Sequence, residues 1–221
     1  MKTDFVVLAA GEGKRMLGTA PKVLLPVAGK PMAQHALDTI SEIEKSRAIL
    51  VLGNQAKEVK KALNTKKNTK TVTQRKQLGT AHAVKMALPQ LRPGSVMTVL
   101  YGDVPLVEGK SLKKLIKSAE KGSLAILTFI KENPQGYGRI IRGSRDQVRA
   151  IIEEKDATKE QREIKEVNSG ILAIKSSLAK KLLPEIKNKN ASREYYLTDI
   201  VELAKNSGIK VQPLLLDDPD E

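Results

Sequence analysis

Phe5-Val6-Val7-Leu8-Ala9-Ala10-Gly11-Glu12-Gly13-Lys14-Arg15 reads as a buried strand that runs straight into a glycine turn. The apolar residues Phe5 to Ala10 are continuous rather than alternating. That is the pattern of a strand covered on both faces of a parallel sheet. Two glycines directly after it let backbone N–H groups face an anion with no Cβ in the way. Arg15 adds a planar fork suited to phosphate, and Lys22 adds a point charge further on. The turn lacks the third glycine of the dinucleotide fingerprint and the Gly-Lys-Ser/Thr of the Walker pattern. Alone, it also fits an ordinary strand-to-loop turn.

Outward from this strand, strands and helices alternate. Further strands are expected at 48–52, 71–74, 96–101 and 124–130, and helices at 31–43, 55–63, 80–91 and 111–121, with Ser111 as an N-cap. Beyond residue 130 the rhythm loosens. Paired strands are expected at 139–142 and 148–152, strands at 167–174 and 209–216, and helices at 176–186 and 198–207. This order predicts an α/β fold of three layers (α/β/α), Rossmann-like, with a mixed, mostly parallel sheet. A single domain over 1–221 is expected, more regular over residues 1–130 than over 131–221.

Composition narrows the function classes. A chain of 221 residues is long enough to bury roughly 70% of its unfolded surface. It has no cysteine, which excludes a disulfide scaffold, a cysteine zinc site and a cysteine nucleophile. The apolar run at 5–10 is too short for a signal peptide, and no run approaches the roughly 18 residues a membrane helix needs. A cytoplasmic protein with no membrane contact is the expectation. The formal charge is +14, which suits either nucleic acid or small polyanions. The lysines are scattered over helix faces, and two Phe, four Tyr and no Trp leave little to stack on bases, so no nucleic-acid partner is expected.

Two further constellations carry chemistry. In Tyr101-Gly102-Asp103-Val104-Pro105-Leu106, a carboxylate follows a buried strand, where open α/β sheets bind ligands. Asp103 suits Mg²⁺, a hard cation that takes one or two carboxylates plus substrate phosphates, or else it caps a turn. Gln74 closes a strand with an amide able to read a base edge, and Gly79-Thr80 opens a helix, with Thr80 otherwise an N-cap. His35 and His82 have no metal-spaced partner and read as structural or surface residues.

Together, Leu-Ala-Ala-Gly-x-Gly-x-Arg-Met with Pro21-Lys22, Gln77-Leu78-Gly79-Thr80 and Gly102-Asp103-x-Pro105-Leu106 resemble the sugar-phosphate nucleotidyltransferases. Gly136-Tyr137-Gly138-Arg139-Ile140, Glu153-Glu154-Lys155-Asp156-Ala157-Thr158, Val167-Asn168-Ser169-Gly170-Ile171 and Glu194-Tyr195-Tyr196-Leu197-Thr198-Asp199 are similar to the uridylyltransferase domain of the bacterial bifunctional GlmU family. The resemblance implies a nucleotidyltransferase of the GT-A-like kind, with residues 1–130 as its nucleotide-binding half and 131–221 as its sugar-binding half. It would join UTP and N-acetylglucosamine 1-phosphate into UDP-N-acetylglucosamine, a cell-wall and lipopolysaccharide precursor, with Mg²⁺ as cofactor. It implies that Leu8, Ala9, Ala10, Gly11 and Gly13 approach the nucleotide, that Arg15 and Lys22 hold the triphosphate, and that Gln74, Gly79 and Thr80 read uracil. Tyr101 and Gly102 would approach ribose and sugar, and Asp103 would bind the metal. Gly138, Glu153 and Asn168 would hydrogen-bond the sugar, and Tyr196 and Thr198 would wall its pocket.

The chain departs from the pattern at Lys14, where the family usually has Thr, and it ends at Glu221 before the Gly-Val-Asn motif that supplies the family's second metal ligand. The family's left-handed β-helix, which carries its acetyltransferase and builds its trimer, is absent, so a monomer is expected in this form and a trimer in a longer parent. The acidic tail at 217–221 has no closing element. Alternatives left open are a nucleotidyltransferase for another sugar 1-phosphate and a non-catalytic UDP-sugar-binding protein.

Overall fold

The computed structural model describes residues 1–11 and 20–218. Its strands are β1 (Thr3–Ala9), β2 (Pro26–Val27), β3 (Lys30–Pro31), β4 (Ser46–Leu52), β5 (Lys70–Thr73), β6 (Val96–Tyr101), β7 (Leu124–Ile130), β8 (Arg139–Arg142), β9 (Val148–Ile152), β10 (Glu166–Lys175) and β11 (Val211–Leu215). Its α-helices are α1 (Met32–Ser41), α2 (Ala56–Ala62), α3 (Thr80–Ala87), α4 (Gly109–Glu120), α5 (Lys159–Arg162), α6 (Ser176–Leu182) and α7 (Ile200–Asn206). The main sheet runs β11-β7-β10-β6-β1-β4-β5, with β8 and β9 attached beside β10. On the main path only β10 opposes the others, pairing antiparallel with both β6 and β7. The fold is a three-layer α/β/α sandwich on a mixed, mostly parallel sheet.

β1 explains the layering. All seven of its residues are buried. Side chains alternate across a strand, so Phe5, Val7 and Ala9 join one core with residues of α1, α2 and α4, among them Leu37, Val59 and Leu112. Val6, Leu8 and Ala10 join the other with residues of α3, α6 and α7, among them Val84, Leu182 and Val201. Each fully buried aliphatic or aromatic side chain contributes roughly 1.5–3 kcal/mol. A strand in two cores therefore has no polar face to offer, and Phe5 to Ala10 are continuous for that reason.

Asp4 is the exception. It is fully buried, yet its carboxylate accepts from Arg47 Nε at 2.6 Å, Arg92 Nε at 2.8 Å, the Arg92 backbone N–H at 2.7 Å and Ser95 Oγ at 2.8 Å. Burial alone would raise its pKa, but these donors overcome that and hold it below the usual carboxylate value. The cluster ties the starts of β1, β4 and β6 together at the end of the sheet remote from the carboxyl ends.

Several local readings change. α4 begins at Gly109 with Glu108 at its N-cap, and Ser111 is buried inside the helix rather than capping it. Residues 26–31 form the hairpin β2–β3, with φ of 47° at Ala28 and 76° at Gly29, the double positive-φ turn that matches strand twist. His35 Nε2 lies 2.8 Å from the Val27 carbonyl and pins this hairpin to α1. α5 starts with a capping box in which Thr158 and Gln161 satisfy each other's backbone N–H groups.

Candidate active site

The carboxyl ends of β1, β4, β5 and β6 lie side by side. Parallel register sets Ala9 against Leu52 and Leu8 against both Val51 and Tyr101. The Gln74 N–H donates to Leu52 O at 2.8 Å, and the Gly102 N–H to Leu8 O at 2.9 Å. Gly102 packs so closely that a Cβ would stand 3.2 Å from both Leu8 O and a methyl of Val23. Ala9, Ala10, Gly11 and Pro21 line a shallow cleft with Gly53 and Asn54. Gly13 and Arg15 lie outside the described residues.

Asp103 follows β6, and Lys22 opens a 3-10 turn over residues 22–24. Lys22 Nζ donates to Asp103 Oδ2 at 2.6 Å. Among the described residues no group of three or more His, Cys, Asp or Glu side chains could hold a metal. Asp103, partly exposed and salt-bridged to Lys22, still has a second carboxylate oxygen for a cation such as Mg²⁺, which keeps most of its shell for water and substrate phosphate.

Beside this pair, the segment 78–81 is laced to 195–197. Tyr195 N–H donates to Leu78 O and Ala81 N–H to Tyr195 O, each at 2.8 Å, and Thr80 Oγ1 accepts from Leu197 N–H at 2.9 Å. Thr80 therefore uses its hydroxyl oxygen across the segment and is the first residue of α3, with Gly79 at the N-cap. Gly79 has φ of 109°, and a Cβ there would stand 2.6 Å from Tyr195 O. Gln74, only 4% exposed, donates from Nε2 to Gly79 O at 3.1 Å.

The opposite wall comes from β8, β9 and β10. Asn168 N–H donates to Gly138 O at 2.9 Å. A Cβ on Gly138 would stand 3.6 Å from Glu153 Oε2, and Thr198 Oγ1 donates to Glu153 Oε1 at 3.0 Å. β10 breaks register between Asn168 and Leu172. In this bulge Asn168 Oδ1 accepts from Gly170 N–H at 3.1 Å and Ser169 Oγ donates to Leu127 O at 2.9 Å. Such bulges re-aim side chains. Gly170 has φ of 84° and yields its Cβ space to the Tyr101 ring, 2.5 Å from where that atom would be.

The electrostatics join these parts. Burial, then the charges of Glu153 and Asp103, push the Tyr101 phenol up, partly offset by the Thr80 hydroxyl. Tyr101 thus lies within reach of Asp103, Thr80 and Glu153. Burial also raises Glu153, against the Thr198 hydrogen bond and with help from Asp156 and Glu194. Burial raises Tyr196, with Glu153 and Asp156 adding to it. Asp199 is pushed up to about 6, first by burial and then by Glu153. One end of the site is acidic, and the other presents Lys22.

Among the described residues, contacts pair Lys22 with Asp103, Gln74 with Gly79, Asn168 with Gly138 and Glu153 with Thr198. Sequence reasoning missed three neighbours: Asp199, Gly170 and His82, whose Nδ1 lies 2.9 Å from Gln74 Nε2. Asp199 and Gly170 stood inside quoted motifs without a role, and His82 stood just past one.

Solved structures share the fold. A UDP-glucose pyrophosphorylase complexed with UDP-glucose aligns with a TM-score of 0.78 at 17% identity, over 96% of this chain and 90% of that one. An apo UDP-glucose pyrophosphorylase structure gives 0.78 at 16% identity, over 97% of this chain and 90% of that one. In sequence, the chain is 44% identical over 208 residues to the "Bifunctional protein GlmU" of Cellvibrio japonicus (strain Ueda107), covering 94% of this chain and 46% of that protein. It is 46% identical over 212 residues to the protein of that name from Marinobacter nauticus (strain ATCC 700491 / DSM 11845 / VT8), covering 95% and 46%. The chain thus spans about half the length of these relatives. No described helix is long and apolar enough to cross a membrane. With residues 5–170 matching its profile, the chain belongs to the MobA-like NTP transferase domain family.

Proposed function

We propose that this chain transfers UMP from UTP to N-acetylglucosamine 1-phosphate, giving UDP-N-acetylglucosamine and pyrophosphate. The observation that carries the reading is the Lys22–Asp103 pair at 2.6 Å, at the carboxyl ends of the parallel strands. The identity to GlmU proteins over 94% of the chain supports the choice of substrates.

No protein nucleophile is required. An oxygen of the sugar 1-phosphate attacks the α-phosphorus of UTP, the bond from that phosphorus to the bridging oxygen breaks, and pyrophosphate leaves with the electron pair. Lys22 stabilises the charge that develops on the phosphoryl oxygens, as positioned cations do in phosphoryl transfer. Asp103 would hold Mg²⁺, which when bound neutralises phosphate charge. Gln74, Gly79 and Thr80 orient the base, and Leu8 to Gly11 lie along the nucleotide, while Gly13 and Arg15, outside the described residues, would contact the nucleotide and its triphosphate. Tyr101 and Gly102 approach ribose and sugar. Gly138, Glu153 and Asn168 meet the sugar's hydroxyl and amide groups, with Tyr196 and Thr198 behind them. A neutral sugar needs such partners because each buried polar group left unpaired costs about 1–3 kcal/mol.

The test is pyrophosphate release with Mg²⁺, N-acetylglucosamine 1-phosphate and each of UTP, dTTP, CTP and GTP in turn. Release with UTP alone is expected. Release only with another triphosphate would reassign the nucleotide. No release, with thermal stabilisation by UDP-N-acetylglucosamine, would turn the reading to a binding protein.

A further inference from the structure

Among the described residues, both hydrogen bonds of the Gln74 side chain are made by its nitrogen: one to Gly79 O at 3.1 Å, the other to His82 Nδ1 at 2.9 Å. A carbonyl only accepts, so the group facing Gly79 O must be the NH₂ end of the amide. An NH₂ group only donates, so the His82 Nδ1 that faces it must be unprotonated. The neutral ring then carries its proton on Nε2. With both amide hydrogens engaged, Oε1 is what Gln74 has left to offer a ligand.

We propose that His82 is a positioning residue for base selection, holding the Gln74 amide so that its carbonyl oxygen meets a base bearing a ring N–H. This rests on the reading of Gln74 as a group that meets the base. Uracil carries a donor at N3. Cytosine carries an acceptor at N3, which would face the Gln74 oxygen lone pair to lone pair. A site built to satisfy one pattern rejects the other by leaving buried polar groups unpaired. The arrangement thus selects UTP against CTP, but not against dTTP or GTP, which also bear a ring N–H.

The surroundings keep the ring neutral. His82 sits on α3 one turn before Lys85, whose ammonium lies 4.7 Å from the centre of the Tyr195 ring. Lys187 and Lys189 line the same cavity of about 400 Å³, and the Tyr195 ring stands 6.4 Å from the imidazole. Burial, then the charge of Lys85, push the imidazole below its usual pKa.

The test measures dissociation constants for UTP and CTP by calorimetry with Mg²⁺, so that it stands whether or not turnover occurs. The wild-type chain should prefer UTP. His82→Ala should shrink that preference about tenfold or more, a loss of about 1.4 kcal/mol. His82→Asn, whose amide oxygen can take the Nδ1 position, should keep it. An unchanged preference in His82→Ala overturns the proposal if Gln74→Ala loses the preference. If Gln74→Ala also keeps it, Gln74 does not meet the base, and the premise fails with the proposal. A measurement on the unaltered chain guards against a variant that does not fold. Long-range ¹⁵N–¹H NMR at neutral pH should show His82 protonated on Nε2 alone, and a proton on Nδ1 would overturn the proposal.

Discussion

Lys22 Nζ stands 2.6 Å from Asp103 Oδ2, and these two groups come from segments 81 residues apart. Both side chains are partly exposed, and such a pair contributes only about 0–1 kcal/mol to stability. Fold stability therefore does not explain it. A cation at the carboxyl edge of the sheet suits a polyphosphate, and a carboxylate beside it suits a divalent cation carried by that polyphosphate.

Lys22→Ala should lower the turnover number by about 10²–10³-fold, the cost of removing one aimed group at developing charge. The Michaelis constant for the sugar phosphate should change little, and the melting temperature should stay near that of the parent. Steady-state kinetics with an unchanged turnover number would remove Lys22 from the chemistry.

Asp199→Asn should make stability less dependent on pH. The folded carboxyl has its pKa raised to about 6, chiefly by burial. Its favourable contribution is fully present below the unfolded value and is lost as pH rises through about 6. The amide variant cannot ionise, so it should melt higher than the parent at pH 7, with the gap closing towards pH 4. Melting curves with a constant gap would contradict this.

Gly170→Ala should disturb the site through the backbone. The left-handed φ of 84° already disfavours a side chain, and its Cβ would press on the Tyr101 ring. A loss of about 1–3 kcal/mol is expected on denaturant unfolding, together with weaker substrate binding as Tyr101 moves. Parent-like stability and affinity would show that Tyr101 has room to spare.

Asp4→Ala should strongly destabilise the fold, because its buried carboxylate gathers two guanidinium groups. It would leave Arg47 and Arg92 without their shared carboxylate, and breaking a buried pair costs about 3–5 kcal/mol. Denaturant unfolding should show the loss at neutral pH. In acid the parent should lose this same contribution as pH falls through the lowered pKa of Asp4, so the two should converge.

The strands in both cores were legible because two-sided burial demands a nearly continuous apolar run, unbroken in Phe5 to Ala10 and interrupted in Val96 to Leu100 by the buried Thr98 alone. The two-residue strands at 26–31 carry no period to read. The reversal of β10 is equally silent, because hydrophobic patterning has no direction. α5 did leave a signal, the Thr158-x-x-Gln161 capping box, which a scan for helix starts would find. In the site, glycine and carboxylate motifs stood out because backbone approach and charge limit which residues serve. The Gln74–His82 contact did not, since it joins a strand end to the next helix through side chains alone. Asp199 looked like an ordinary polar residue until packing put it near Glu153.

The most direct measurement is ³¹P NMR of UTP and N-acetylglucosamine 1-phosphate mixed with this chain and Mg²⁺. UMP transfer predicts loss of the sugar monophosphate signal, with a diphosphodiester and pyrophosphate appearing in equal amounts. Unchanged spectra, or release of orthophosphate with the sugar phosphate intact, would contradict it.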